Sequence, residues 1–260
     1  MRRVGPDFQR ARRPEQVAVR RTAILGAARE LLAERPVSRI SLRELADRVG
    51  LAKSNVLRYF DSREAIFLEV LDATWVAWLD ELEGELGAPR AAKPGYEHEV
   101  RVATVIAKSL SRQHLLCELI STMAAVLERN ISVETARKFK SRAAERTERL
   151  ADVVRAQIPL DAEAAGHFAK AVFILVAGLW PYANPGEAVA TVLAERGAPT
   201  GREMFVDGLT EGLANQLVGL VVRAGQRPGR EQRSLAPFPG APSRATLPKV
   251  SGTHLHKERS

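Results

Sequence analysis

Residues 41–59 read Ser41-Leu42-Arg43-Glu44-Leu45-Ala46-Asp47-Arg48-Val49-Gly50-Leu51-Ala52-Lys53-Ser54-Asn55-Val56-Leu57-Arg58-Tyr59, and the fold turns on them. Leu42, Leu45, Ala46 and Val49 repeat at the spacing that puts apolar groups on one face of a helix. Ser41 and Glu44 stand three apart at its start, the arrangement of a capping box, in which the Ser oxygen and the Glu carboxylate accept from amides the helix leaves free. Gly50 follows, the residue that most easily adopts a left-handed turn at a helix end. A further helix then runs from about Ala52 to Tyr59 and opens on the polar side chains of Lys53, Ser54 and Asn55. Two short helices about a Gly turn, with Ala46 small enough for a close crossing, predict a helix-turn-helix. Geometry of this kind also fits an ordinary helical hairpin in a bundle.

On the N-terminal side, Ile24, Ala28, Leu31 and Leu32 form one helical face that Pro36 ends. Residues 1–16 carry Arg2, Arg3, Arg10, Arg12 and Arg13 with Pro6 and Pro14, and are expected to form a disordered basic leader. On the C-terminal side, Asp61 and Glu64 mark the start of a long helix to about Leu86, with Ile66, Val70, Ala73 and Ala77 on one stripe. The stretch Gly87–Gly95 reads as a linker. Helices are then predicted at about 97–110, 113–129, 133–158, 162–179, 188–196 and 203–223, with Pro159, Pro181 and Pro185 breaking the chain between them. Neither a strand pattern nor an internal repeat is present. The expected fold is all-α, with a DNA-binding unit at 17–63, a helical body at 64–224 and a disordered Pro/Arg-rich tail at 225–260.

Charge is distributed unevenly. Residues 1–63 hold 15 Lys/Arg against 7 Asp/Glu, residues 64–224 hold 17 against 22, and residues 225–260 hold 7 against 2. A basic first segment attracts polyanions through counterion release, although charged ends also serve solubility. The lone Cys117 cannot form an internal disulfide and suits a reducing compartment. The longest apolar run, Ala171–Trp180, is about half of the roughly 20 residues a membrane span needs. No apolar signal segment follows Arg2 and Arg3. A cytoplasmic, nucleoid-associated protein is expected, with no membrane partner.

The stretch Ile40–Ile66 resembles the signature of the TetR (tetracycline repressor) family of transcriptional regulators. The likeness lies in a Ser-capped second helix, Ala46 then Gly50 before the next helix, the pair Tyr59-Phe60, and a cation, Arg63, three residues past the Phe. Over about residues 20–70 the resemblance is tight; beyond them it rests on the helix count. It implies a double-stranded DNA operator as partner. Arg43 would read a base from helix 2, and Lys53, Ser54 and Asn55 would face bases from the recognition helix. Tyr59, Arg63 and Arg58 would contact phosphates, and Ser41 would cap helix 2 beside the backbone. Lys and Arg donate to guanine and Asn pairs with adenine. Two positions depart from the pattern: Leu57 stands where a phosphate-binding Tyr is usual, and Ser54 where Gly is common. Leu57 is expected to pack inward or against sugar atoms. The arginine-rich start could lie in the adjacent minor groove or be a solvated leader.

The resemblance further implies a homodimer formed by two C-terminal helices of each subunit. Phe168, Val172, Leu175, Val176 and Leu179 make one apolar stripe, and Phe205, Leu209, Gly212, Leu213, Gln216 and Leu220 another. It also implies a pocket for a small-molecule effector, whose identity the sequence does not name. Trp75, Trp78, His114, Met123, Phe139, His167 and Trp180 are candidates to line it, each read more readily as ordinary core packing. No metal-ligand spacing, phosphate loop or nucleophile elbow occurs, so neither a cofactor nor an enzyme is expected. The resulting expectation is a homodimeric repressor released from a palindromic operator by an effector. The alternatives are an activator, a regulator that answers to a protein, or a helical interaction module that has lost DNA binding, with Leu57 as its hint.

Overall fold

The computed structural model describes residues 6–89 and 94–226, and every regular element among them is helical. Residues 1–5, the middle of the linker (90–93) and the tail from 227 on lie outside the described residues.

Helix α1 (Pro6–Glu34) starts well ahead of the boundary expected near residue 17, so the part of the leader from Pro6 on is helical. Apart from its prolines that part consists largely of strong helix formers, Gln9 to Arg13, and propensity carries the helix back. A single 3₁₀ turn, Val37–Arg39, leads to α2 (Leu42–Val49). Ser41 Oγ accepts from the Glu44 amide at 3.2 Å, and the Ser41 amide donates to Glu44 Oε2 at 2.7 Å. The capping box thus forms as its spacing requires. Gly50 closes α2 at φ 71°, ψ 35°, a left-handed conformation in which a side chain would be strained.

The next helix, α3 (Lys53–Val56), is shorter than expected. Beyond Val56 the backbone tightens, with Arg58 N donating to Asn55 O and Tyr59 N to Val56 O. Val56 and Phe60 are both buried in the core here, and Phe60 N still donates to Val56 O at 3.2 Å, so the two stay one α-turn apart on the same side.

Ser62 caps α4 (Arg63–Leu86) through the Ala65 amide at 3.1 Å. This helix runs out of the helix-turn-helix and into the body, packing on α1 at one end and on α5 (Glu97–Ser111), α6 (His114–Thr122) and α7 (Val133–Gln157) further on. A π turn, Met123–Leu127, interrupts the long helix expected over 113–129. Helix α8 (Ala162–Ala183) packs on α6 and α7. It carries Pro181 inside its last turn, where only one backbone donor is lost, and ends beyond the break expected there. Helices α9 (Glu187–Glu195) and α10 (Gly201–Gln226) follow.

One continuous apolar core joins Ile24, Leu45 and Val56 at the helix-turn-helix to Trp78, Phe168 and Leu213 in the body. Where α4 and α7 end and α5 begins, Gln157 ties them: its Nε2 donates to Gly87 O at 2.9 Å, and its Oε1 accepts from Arg101 at 2.8 Å. By length and composition α8 could cross a membrane. Its Phe168, Val172 and Val176 are instead buried among the neighbouring helices.

Candidate nucleic-acid interface and ligand cavity

The reading head is held by arginines that its own carboxylates occupy. Arg48 of α2 donates to Glu34 at 2.9 Å and to Glu30 at 3.3 Å, both on α1. The Arg48 bond holds the Glu34 carboxyl below its ordinary range. Glu34 and Glu30 in turn raise Arg48. Arg35 reaches Glu44 at 2.9 Å. Glu44 is held low first by the Ser41 amide, then by the Ser41 side chain, with Arg35 adding less. Arg21 of α1 donates to the Tyr59 carbonyl and to Glu69, with its guanidinium 4.1 Å from the centre of the Phe60 ring. None of these arginines stood out in the sequence, because their partners are up to 48 residues away.

A second set of polar groups, on α2, α3 and the turn after it, is left exposed. Lys53, Ser54, Asn55 and Arg58 are exposed. Arg43 is 87% exposed, with only a 4.0 Å contact to Asp47 one turn on. Ser41 is exposed beside them. Tyr59 is half-buried, its carbonyl spent on Arg21.

Leu57 is 42% exposed and does not pack inward, because Val56 takes the core position. Arg63 is mostly engaged within the chain: Nη1 donates to Ile40 O at 2.6 Å, and Nη2 and Nε to Glu64 Oε1 at 2.7 and 3.2 Å. A guanidinium has five N–H groups, so part of the fork is left over.

Between α4, α7 and α8 lies a cavity of about 580 Å³. Trp75, Met123 and Phe139 line it, as the sequence reading allowed. The other four candidates lie elsewhere. Trp78 is buried and donates to Ser109 Oγ at 3.0 Å, and Trp180 donates to Glu118 Oε2 at 3.1 Å while packing edge-on against Phe205. His114 and His167 are exposed, His114 against the Trp180 ring. The space exists because α7 presents Ala143, Thr147 and Ala151 along one stripe opposite Gly166 and Phe173 of α8. A missing volume between two helices leaves no mark on either sequence alone.

A second, polar cleft lies under the turn between α3 and α4, where Arg21, Phe60, Asp61 and Glu69 face Thr135, Lys138 and Arg142 of α7. Asp61 accepts from the hydroxyls of Ser132 and Thr135, which hold its carboxyl below the ordinary range. Phe139 is common to this cleft and to the cavity.

Residues 24–70 match the family described as bacterial regulatory proteins, tetR family, and residues 72–224 match the tetracyclin repressor-like C-terminal domain. The chain belongs to the TetR family. With both matched domains present, it is a bacterial regulatory protein of that family. An uncharacterized HTH-type transcriptional regulator of Mycobacterium tuberculosis (strain ATCC 25618 / H37Rv) is 42% identical over 62 residues, 24% of this chain and 29% of that protein. The regulator RutR of Escherichia coli K12 is 33% identical over 87 residues, 33% of this chain and 41% of RutR. The match therefore spans less than half the length of either curated relative. Among solved structures, a TetR regulator from Rhodococcus sp. RHA1 is 18% identical at a TM-score of 0.46, covering 78% of this chain and 97% of its own. AlkX from Dietzia sp. strain DQ12-45-1b is 18% identical at 0.44, covering 77% and 96%.

The residues expected to form the dimer divide by burial. Phe168, Val172, Val176, Phe205, Leu209, Leu213 and Leu220 are buried within the single chain. Their stripes point into the core of the protomer, because α8 and α10 pack on the body before they can face another subunit. Leu175, Leu179, Gly212 and Gln216 are half-buried. A Cβ on Gly212 would stand 3.1 Å from Leu175 Cδ1, so the glycine admits that leucine within the chain.

Proposed function

We propose that this regulator is a cytoplasmic homodimeric repressor that binds a palindromic operator and is released by a small-molecule effector. The observation that carries the reading is the division of its polar groups: Arg21, Arg35, Arg48 and Arg63 are paired within the chain, while Arg43 on α2, Lys53, Ser54 and Asn55 on α3 and Arg58 just after it stand exposed. Arg43 and the opening residues of α3 then read base edges. Arg58, Tyr59 and the remaining Arg63 donors contact phosphates, and Ser41 fixes α2 beside the backbone. Leu57, exposed on the same helical turn, offers an apolar contact to sugar or to a thymine methyl group.

Dimerisation is proposed through the outer faces of α8 and α10, where Leu175, Leu179 and Gln216 are half-buried and Tyr182 is exposed. The effector is proposed to occupy the α4–α7–α8 cavity. Two paths lead from there to the head: α4 itself, which carries Trp75 and continues back to Arg63, and Phe139, which also walls the cleft holding Asp61. Release requires that the effector bind the non-operator arrangement more tightly.

The test is a titration of the purified protein against its own upstream DNA at two salt concentrations, with random DNA as control. A repressor of this kind binds a palindromic stretch specifically, and its affinity falls steeply with salt as phosphates are neutralised. Binding to upstream DNA no tighter than to random DNA at both salt concentrations contradicts the operator assignment.

A further inference from the structure

We propose that the first turns of α1, from Pro6 to Arg20, form a basic helical arm that binds backbone phosphates of the DNA flanking each half-site. The proposal rests on the operator reading and adds a second, sequence-independent grip outside the helix-turn-helix.

The arm lies ahead of the matched domain. Helix α1 starts at Pro6, whereas the tetR-family match starts at residue 24. At about 1.5 Å per residue, the stretch from Pro6 to Arg20 extends roughly 20 Å. The part of it nearest the domain is left uncovered by its own chain. Residues 15–20, Thr22 and Ala23 are exposed, Val19 to 68%, and burial begins at Arg21 and Ile24.

Helical register sorts the charges of this stretch. The face that buries Ile24, Ala28 and Leu31 continues backwards, in steps of three or four residues, through Arg20, Val17, Arg13 and Arg10. Such steps keep residues on one face of a helix. That face is therefore apolar where it meets the core and basic beyond it. Arg12 adds a fourth cation off the stripe. Of the two carboxylates in the stretch, Glu15 falls on the opposite face and Asp7 lies at the tip, so the stripe keeps its positive sign. Pro14 removes one backbone bond, and the helix continues through it.

The arm leaves the domain beside the reading surface. Arg21, the residue next to it, donates to the Tyr59 carbonyl with its guanidinium over the Phe60 ring, and the exposed Arg58 directly precedes Tyr59. The other end of α1 is turned to the far end of α2, where Glu30 and Glu34 hold Arg48. The nearest part of the body does not attract a basic arm, since Lys138 and Arg142 of α7 face Arg21 across the polar cleft. The carboxylates of that cleft, Asp61 and Glu69, are already taken by Ser132, Thr135 and Arg21. A row of arginines beside a DNA-reading surface suits a polyanion. A guanidinium grips a phosphate through two donors, releases counterions and carries no base preference.

The test replaces Arg10, Arg12, Arg13 and Arg20 by Gln in the full chain, since Gln holds a helix about as well as Arg. Affinity is measured over a series of salt concentrations for two duplexes: the palindrome alone, and the palindrome with one helical turn of random sequence, about ten base pairs, on each side. The wild type should bind the flanked duplex at least about tenfold tighter than the bare one, and the Gln variant should bind the two alike. On the flanked duplex the wild-type salt slope should be steeper than the variant's by about 3–4, for two phosphates per arm in a dimer at about 0.9 each. Lys at the four positions keeps the charge and should restore most of that slope. If the Gln variant does not fold, deletion of residues 1–14 serves, because the matched domain starts later. Equal wild-type affinity for both duplexes, a Gln variant that keeps the flank gain, or a Gln variant that loses affinity equally for both each overturns the proposal. If the loss follows instead from a weaker dimer, seen in sedimentation, the arm serves a second copy of the chain and the proposal falls. The operator reading fails separately: without preference for any palindrome, the arm should still give the wild type a steeper salt slope than the Gln variant on random duplex.

Discussion

Replacing Arg63 by Ala removes three hydrogen bonds at once, those to Ile40 O and the two to Glu64 Oε1. The last two matter most, because the Glu64 side chain is only 8% exposed and would be left as a buried carboxylate without its cation. Removing one partner of a fully buried ion pair costs about 3–5 kcal/mol. Arg63 itself is 22% exposed, so water screens part of the pair, and we expect a loss of about 2–3 kcal/mol. With a urea slope of about 2–3 kcal/mol per molar, the unfolding midpoint should fall by about 1 M at fixed protein concentration. The double variant Arg63→Ala/Glu64→Gln removes the stranded charge and should recover at least half of that loss.

DNA binding then separates the two roles of the residue. If the free donors of Arg63 also touch a phosphate in each half-site, the double variant should bind with a salt slope shallower by about 2 in a dimer, at about 0.9 per phosphate contact. A double variant as unstable as the single one would refute the buried-carboxylate argument. Recovered stability together with wild-type affinity and slope would make Arg63 a purely structural residue.

Arg43→Ala should leave the melting temperature unchanged, since the side chain is 87% exposed, while lowering affinity for the operator more than for random DNA in parallel titrations. Gly201→Ala should lower the melting temperature by several degrees in a calorimetric scan, because a Cβ there overlaps the Ala183 carbonyl oxygen and forces the start of α10 away from the end of α8. Asp61→Ala removes the acceptor shared by Ser132 and Thr135. It should weaken effector-induced release more than operator affinity; in the wild type the lowered carboxyl keeps its ionised form, and with it the link, above about pH 4, and loses it as the pH falls through the folded value. Burial pushes the Cys117 thiol up to about 12, so native protein should resist iodoacetamide at pH 8. Stability should be independent of this thiol below about pH 8.5, where the unfolded thiol titrates, and fall by about 1.4 kcal/mol per pH unit above it, toward the folded value.

The helix-turn-helix was legible because its signals are local. The Ser41/Glu44 spacing, Gly50, and the apolar face of α2 all act within one turn of helix, and each forms where the spacing puts it. The end of α3 was less legible, since no residue among Leu57, Arg58 and Tyr59 breaks a helix, and the tighter bonds of the Arg58 and Tyr59 amides belong to the folded chain alone. The cavity was only partly legible for a different reason. Aromatic and sulfur side chains are visible as candidates wherever they occur, and Trp75, Met123 and Phe139 do line it. What makes the space are the small residues Ala143, Ala151 and Gly166, which look like any helical surface until two helices are placed face to face. The apolar stripes of α8 and α10 were visible too, but a stripe does not say whether it faces its own chain or a second copy. Most of their large residues face their own chain.

The same reasoning explains why net charge alone is a poor guide to the DNA-reading surface. Residues 1–63 carry 15 Lys/Arg against 7 Asp/Glu, and nothing in the string separates one arginine from another. In the folded chain they divide. Arg35 and Arg48 each meet a carboxylate of the same segment, and Arg63 and Arg21 meet Glu64 and Glu69 just beyond it. Those pairs fix the angle between α1, α2 and the start of α4 and contribute little net field. The cations left over are the exposed ones, among them Arg43, Lys53 and Arg58 on the helix-turn-helix and Arg20, Arg29 and Arg39 around it. A charge that is spent inside sets geometry, and a charge that is left outside sets attraction to a polyanion. Adding a carboxylate to the exposed set would therefore weaken association with any DNA, whereas losing one from the paired set would first unsettle the head that presents it.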